Sequence, residues 1–322
     1  MEWFEELPVV SLWGMELSLF GIYCAAGALC AVCVCALICR NDRLKKGSGS
    51  LLGLMSLLFG LLFSRLTFCL LTRETGGFFP LSAWPALNAG GWSLMGGIFG
   101  AFFGAYLCAR LTGQQPALLL DAVSCGLPLF IAAERLSEES FDFFDVSRIL
   151  GKELPQSGWL IEQDTDYGVS YLATYRIAAV LAICLFLYLA VSVTGRRRQQ
   201  GGIWIRFMVL TGAFGVLLES LRYDHFLEFS FVCFQQVLAA CLLLWGVILA
   251  CKRAGRQWLG LKRTALISFP LTVGICIGLE FALDRTGWSH ILIYIIMVCV
   301  LAVPAASAMI LLRKAEKGMN TP

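Results

Sequence analysis

Charge is what this sequence has least of. Charged residues make up 15% of its 322 positions, against about 25% in a soluble globular domain, which excludes an ordinary soluble fold. The net charge of +3 is too small to point to a nucleic-acid partner. Histidine is scarcer still: His225 and His290 are the only two. The chain also lacks internal repeats and low-complexity linkers, and its longest polar stretch is residues 134–168. The two soluble domains that length alone would allow are therefore not expected.

A disulfide framework is missing too, despite fourteen cysteines. Cys24, Cys30, Cys33, Cys35 and Cys39 lie in or at the end of the first apolar block. Cys69, Cys108, Cys125, Cys184, Cys233, Cys241, Cys276 and Cys299 lie in later ones, and Cys251 sits at a block boundary. In such places cysteine behaves as a small hydrophobe. The Cys30-x-x-Cys33 pair has no histidine and no second pair beside it, so neither a metal nor a redox centre is expected there. No metal and no cofactor is expected elsewhere.

What the sequence has is apolar length. Hydrophobic residues are 58% of the chain and the mean hydropathy is +0.77. They fall into blocks of about twenty residues, enough for a helix to cross roughly 30 Å of hydrocarbon. Nine spans are predicted, over 11–39, 51–72, 92–109, 116–133, 169–194, 203–221, 230–251, 265–284 and 291–312. Basic residues follow spans one, three, five, seven and nine: Arg40, Arg43, Lys45 and Lys46; Arg110; Arg196, Arg197 and Arg198; Lys252, Arg253, Arg256, Lys262 and Arg263; Arg313, Lys314 and Lys317. Basic connectors favour the cytoplasm. The expected fold is thus an all-α polytopic bundle of nine transmembrane helices in an inner-type membrane, N-terminus outside and C-terminus cytoplasmic. The first span is not expected to be a cleaved signal peptide, because it is too long and acidic residues precede it.

Two of the expected outer segments are too long for turns. Residues 73–91 mix aromatics with Gly and Pro and read as an interfacial loop with room for a short re-entrant piece. Residues 134–168 carry nine carboxylates against three bases, with aromatics interleaved, as in a small cap on the headgroups.

Ionisable residues inside the spans carry the functional signal, since each costs about 2.5–3.5 kcal/mol at a helix centre. Arg65 lies deep in span two and Asp121 about one turn into span four. Glu134 and Arg135 close span four, Glu219 and Arg222 close span six, and Glu280 and Asp284 close span eight. Arg65, Arg135 and Arg222 are expected at one depth near the outer leaflet, where guanidinium forks suit a lipid phosphate. Snorkelling and local ion pairing, Glu219 with Arg222 and Glu134 with Arg135, are the competing explanation. Gly96-x-x-x-Gly100-x-x-x-Gly104 reads as a small-residue ridge for close helix packing.

With these residues in view, the chain resembles the prolipoprotein diacylglyceryl transferase family. Gly90-Gly91-Trp-Ser-Leu-Met95-Gly96-Gly97-Ile-Phe-Gly100 is similar to that family's G-G-x-S-F-H-G-G-x-x-G signature. Leu-Leu-Asp121, then Gly126-Leu-Pro128-Leu running to Arg135, stand where the family has its G-R-x-G-N motif. Gly212-Ala-Phe214 and Glu219-Ser-Leu-Arg222-Tyr-Asp224 resemble G-A-F-R and E-F-F-R-x-P-D, and Gln235-Gln236 falls where a glutamine opens the family's last helix. Arg65 matches an arginine early in the second conserved helix. The resemblance covers roughly residues 10–255. It implies a core over 1–255 that includes the outer segment 134–168, and an extension over 256–322 carrying two further spans.

The family moves a diacylglyceryl group from phosphatidylglycerol to a prolipoprotein cysteine, which needs cations for the phosphate and a group to take the thiol proton. The resemblance implies catalytic roles for Arg135, Glu219 and Glu138. It implies phosphate binding by Arg65, Arg135, Arg222, Gly96 and Gly97. Implied partners are a phosphatidylglycerol-like phospholipid and a prolipoprotein signal segment, within a membrane and without nucleic acid. The departures are equally specific. Met95 replaces the signature histidine, Gly215 the arginine of G-A-F-R and Thr211 the tyrosine before it, and Glu134-Arg135-Leu-Ser137-Glu138 has lost the glycines and asparagine. His225 and Glu138 are the groups available to replace the base. Three readings stay open: an active divergent transferase, a non-catalytic binder of lipid or lipoprotein precursor, and a transferase or lipid mover with a changed acceptor in which Glu138 and Glu139 take part.

Overall fold

The computed structural model of the chain describes residues 9–12, 15–42, 44–45, 47–74, 91–137, 158–164, 169–194, 200–222, 228–229 and 232–318. Among the described residues nine helices are long and apolar enough to cross a membrane. They are α1 (Leu19–Asn41), α2 (Ser48–Glu74), α3 (Leu94–Thr112), α4 (Pro116–Ser137), α5 (Thr174–Thr194), α6 (Gly202–Ser220), α7 (Phe234–Arg253), α8 (Leu259–Arg285) and α9 (His290–Gly318). Each expected span has its helix, and the fold is that of a multi-pass membrane protein.

Three of the helices start later than their apolar runs. Antiparallel hairpins occupy the difference: β1 (Val9–Leu12) with β2 (Met15–Ser18) ahead of α1, β3 (Ile161–Asp164) with β4 (Val169–Leu172) ahead of α5, and β5 (Glu228–Phe229) with β6 (Val232–Cys233) ahead of α7. Hydropathy cannot separate an apolar strand from the helix that follows it, whereas local chemistry does. Ser18 ends β2 and caps α1, its Oγ accepting from the Gly21 N–H at 3.1 Å. Ala173 donates its N–H to the Leu160 carbonyl at 2.8 Å and Arg176 Nη1 donates to the Trp159 carbonyl at 2.7 Å, so the start of α5 is pinned beside its hairpin.

The chain divides into two compact units, residues 1–190 with 222–224, and residues 191–221 with 225–322. In the first, α3 packs along α2 and α4 along α1. Glycine makes the α2–α3 approach possible. A Cβ on Gly96 would meet Thr67 Oγ1 at 2.5 Å, one on Gly100 would meet Phe63 Cβ at 2.7 Å, and one on Gly104 would meet the Met55 backbone carbon at 2.7 Å. The ridge read from the sequence therefore lies directly against the α2 backbone, the arrangement small residues permit in a membrane where no hydrophobic effect drives helices together. Gly27 and Gly126 do the same between α1 and α4, facing Ala133 Cβ and the Ala31 carbonyl. At the far end of α3, Lys45 Nζ donates to the Thr112 carbonyl at 2.8 Å, a cation satisfying a helix C-terminus.

The second unit holds α6–α9, joined pairwise as α6 with α7 and α8 with α9, and with α9 also against α6 and α7. Gly212 lies against the Ala239–Leu243 backbone of α7, and Gly246 against Val209 and Met208 of α6. The last helix is locked by charge: Arg206 Nη2 donates to both carboxylate oxygens of Glu316, at 2.6 and 2.7 Å.

Gly100→Val is expected to cost about 1–3 kcal/mol by overpacking the α2–α3 contact, read as a lowered Tm of detergent-solubilised protein. Gly60→Ala, whose Cβ would meet nothing nearer than the Gly97 carbonyl at 3.5 Å, should leave Tm within a degree or two.

Candidate functional site

The signature-like segment, described from Gly91 to Gly100, leads into α3 and is held by contacts from α2. Gly91 has φ +77° and lies against Phe68, whose ring atom Cδ1 would be 2.7 Å from an added Cβ. Glycine alone meets both conditions without strain. Ser93 is fully buried and caps α3: its Oγ accepts from the Gly96 N–H at 3.1 Å. Ser64 and Ser93 interlock, Ser64 Oγ donating to the Ser93 carbonyl at 2.8 Å and the Ser93 N–H to the Ser64 carbonyl at 3.3 Å. Arg65, only 2% exposed, donates through Nη1 to the Gly91 carbonyl at 2.8 Å, and its guanidinium lies 5.5 Å from the Trp92 ring centre.

This geometry assigns work to several expected site residues. Arg65 braces residues 91 and 92. Gly96 is buried against α2 and its N–H goes to the Ser93 cap, while a Cβ added to half-buried Gly97 would lie in ordinary contact with Ser64 at 3.6 Å. Met95, in the place of the family-like histidine, is 3% exposed. Its thioether fills space in the packed first turn of α3 and can take no proton.

Arg135 is buried at the end of α4, with its Nε 3.4 Å from Glu134 Oε2. Ser137 Oγ donates to the Glu134 carbonyl at 2.5 Å and tightens that last turn. Adjacent residues on a helix do not normally face one another; here the long side chains converge beyond the backbone. Asp121 is fully buried near the opposite end of α4.

In the second unit, Glu219 is buried in the last turn of α6; Arg222, which groups with the first unit, is half-buried. Gln236, in the first turn of α7, donates from Nε2 to the Val216 carbonyl at 3.2 Å and to Glu280 Oε1 of α8 at 2.9 Å. Tyr294 of α9 donates its hydroxyl to the Ser220 carbonyl at 3.1 Å. Glu138, Glu139, Asp224 and His225 lie outside the described residues, as do 75–90 of the interfacial loop expected over 73–91 and most of the cap expected over 134–168.

Three of these features carry little signal in the sequence. Arg206 lies inside the apolar run of span six, and its partner Glu316 sits in the last turns of α9, outside the predicted span. The Gln236–Glu280 contact was invisible because glutamine is uncharged and its partner is 44 residues away. The serine interlock had only the motif serine as a clue.

Comparison with known proteins is consistent with this arrangement. The sequence model of the family described as prolipoprotein diacylglyceryl transferase matches residues 8–252. That stretch begins just ahead of β1 and ends one residue short of the end of α7. No curated protein matches the chain.

Arg65→Ala removes a charged donor from the part-buried Gly91 carbonyl, an expected loss of about 1–3 kcal/mol. Ser93→Ala removes a cap, worth about 1 kcal/mol. Thermal unfolding in detergent should rank the two in that order.

Proposed function

Because the chain belongs to the prolipoprotein diacylglyceryl transferase family, we propose that it transfers a diacylglyceryl group from a phosphatidylglycerol-like lipid to the cysteine of a prolipoprotein signal segment, in a bacterial plasma membrane. In that reaction the cysteine sulfur forms a C–S bond to the glyceryl carbon as the C–O bond to phosphate breaks. The glycerol phosphate leaves with the electron pair, and the thiol proton passes to a base.

The observation that carries this reading is Arg135, a guanidinium 8% exposed at the end of α4, at the point of the chain that resembles the family's arginine motif. A buried guanidinium is costly unless something anionic offsets it, and a lipid phosphate can share it with Glu134. Arg135 and Arg222 hold the phosphate and stabilise the charge it gains on leaving. Arg65, Gly96 and Gly97 support the same site from behind by fixing the turn over 91–93. Glu219 and Glu138 are the carboxylates this reading assigns to take the thiol proton, since Met95 can take none. The N-terminus and the hairpins lie outside the cytoplasm in this reading and the C-terminus inside, with 1–255 as the transferase core and 256–322 as its extension.

A second reading rests on Met95 and Gly215. Both are buried, with no protonatable side chain at either place, which favours a protein that holds phospholipid or lipoprotein precursor without turning it over.

The two readings separate in one assay. Purified protein in phosphatidylglycerol liposomes is incubated with a lipobox peptide, and the peptide is examined by mass spectrometry. A diacylglyceryl thioether adduct is expected, falling at least about a hundredfold in Arg135→Ala. Lipid binding without any adduct would establish the second reading instead.

A further inference from the structure

The turn of α6 that carries Glu219 is held from α7 and α9, and its α7 contact is itself held from α8. A helix carbonyl points toward the residue four positions on, so the Val216 carbonyl faces Ser220 across the turn containing Glu219. Gln236 Nε2 reaches that carbonyl at 3.2 Å. Its second contact, Glu280 Oε1 at 2.9 Å, decides which way the carboxamide faces. Both partners are acceptors, so only the nitrogen can point at them. Gln236 is 8% exposed and Glu280 3%, so neither side chain has bulk water as an alternative partner. The Ser220 carbonyl, one of the last four of α6 that no helix N–H satisfies, takes the Tyr294 hydroxyl at 3.1 Å. Two contacts from different helices thus converge on one helical turn. Glu280 and Tyr294, the residues behind them, both lie beyond residue 252, where the family match ends.

We infer that α8 and α9 serve the site as positioning elements: Glu280, acting through Gln236, and Tyr294 together fix the last turn of α6 and so set the direction of Glu219. They touch neither substrate nor reacting atoms. An appended helix pair that merely thickened the bundle would have no reason to bind the Ser220 carbonyl directly and to hold the carboxamide that binds the Val216 carbonyl. This role for Glu219 rests on the transferase reading above; the holding of the turn does not.

The test uses the full-length protein in phosphatidylglycerol nanodiscs, with Glu280→Leu, Glu280→Gln and Tyr294→Phe. Two quantities are read: kcat and KM of lipobox-peptide lipidation, and hydrogen–deuterium exchange of peptides spanning the end of α6. Glu280→Leu and Tyr294→Phe should each lower kcat about tenfold or more, since small misplacements of a reacting group are costly, with KM for lipid nearly unchanged; Glu280→Leu, which strips Gln236 of a buried partner, should also lower Tm, and Glu280→Gln should recover it. Exchange at the end of α6 should rise about tenfold while the start of α6 keeps its wild-type rate. Glu280→Gln keeps an acceptor for Gln236 and should restore most of both losses. Unchanged exchange in Glu280→Leu and Tyr294→Phe would overturn the inference. So would Glu280→Gln as damaging as Glu280→Leu, because the charge of Glu280 would then be acting directly. If the wild-type protein forms no adduct, the transferase reading fails by itself, and the exchange data alone still decide whether Glu280 and Tyr294 hold the turn.

Discussion

Close approach of α3 to α2 governs the first unit, and nearly every other feature there follows from it. With hydrogens instead of side chains at Gly96, Gly100 and Gly104, the α3 backbone lies against Phe63, Phe59 and Met55 of α2. Lipid tails are as apolar as leucine, so contact at this range must win through dispersion and polar pairing. The approach brings Ser64 within reach of Ser93 and Arg65 within reach of Gly91. Each of those bonds satisfies a backbone group that a membrane interior would otherwise leave costly. The glycines, the serine and the arginine therefore form one device that sets the angle at which the chain enters α3.

That device separates scaffold from chemistry within the family-like signature. Gly91, Ser93, Gly96 and Gly100 all answer to packing and capping, and all four are present. The position that would answer to proton transfer holds Met95, which packs as well as any apolar residue. A site can lose its reacting group while the fold keeps every residue it needs.

In the second unit the polar contacts span long sequence distances. Arg206 and Glu316 join α6 to α9, and Gln236 and Glu280 join α7 to α8. Breaking a buried pair by removing one partner is far more costly than never having made it. The helices beyond residue 252 are consequently tied to α6 and α7 by groups that could not be left alone. Removing Glu316 would take from buried Arg206 a carboxylate that accepts two of its hydrogen bonds, and removing Glu280 would take from Gln236 one of its two acceptors.

By itself the sequence determined the number and placement of the membrane helices, because crossing hydrocarbon imposes a length and a composition that are local properties. It also determined that α3 would present a glycine ridge, since residues four apart share a helix face. Where helix gives way to strand before α1, α5 and α7 was not legible, as the apolar run continues through both. Nor was the work of Arg65: depth in a span showed that it needed a partner, and only the folded chain showed that the partner was the Gly91 carbonyl. The pairings of Gln236 with Glu280 and of Arg206 with Glu316, 110 residues apart, were likewise decided by tertiary structure. Such contacts depend on which helix faces meet, and that is settled by the packing of all the helices together, a property no single stretch of sequence contains.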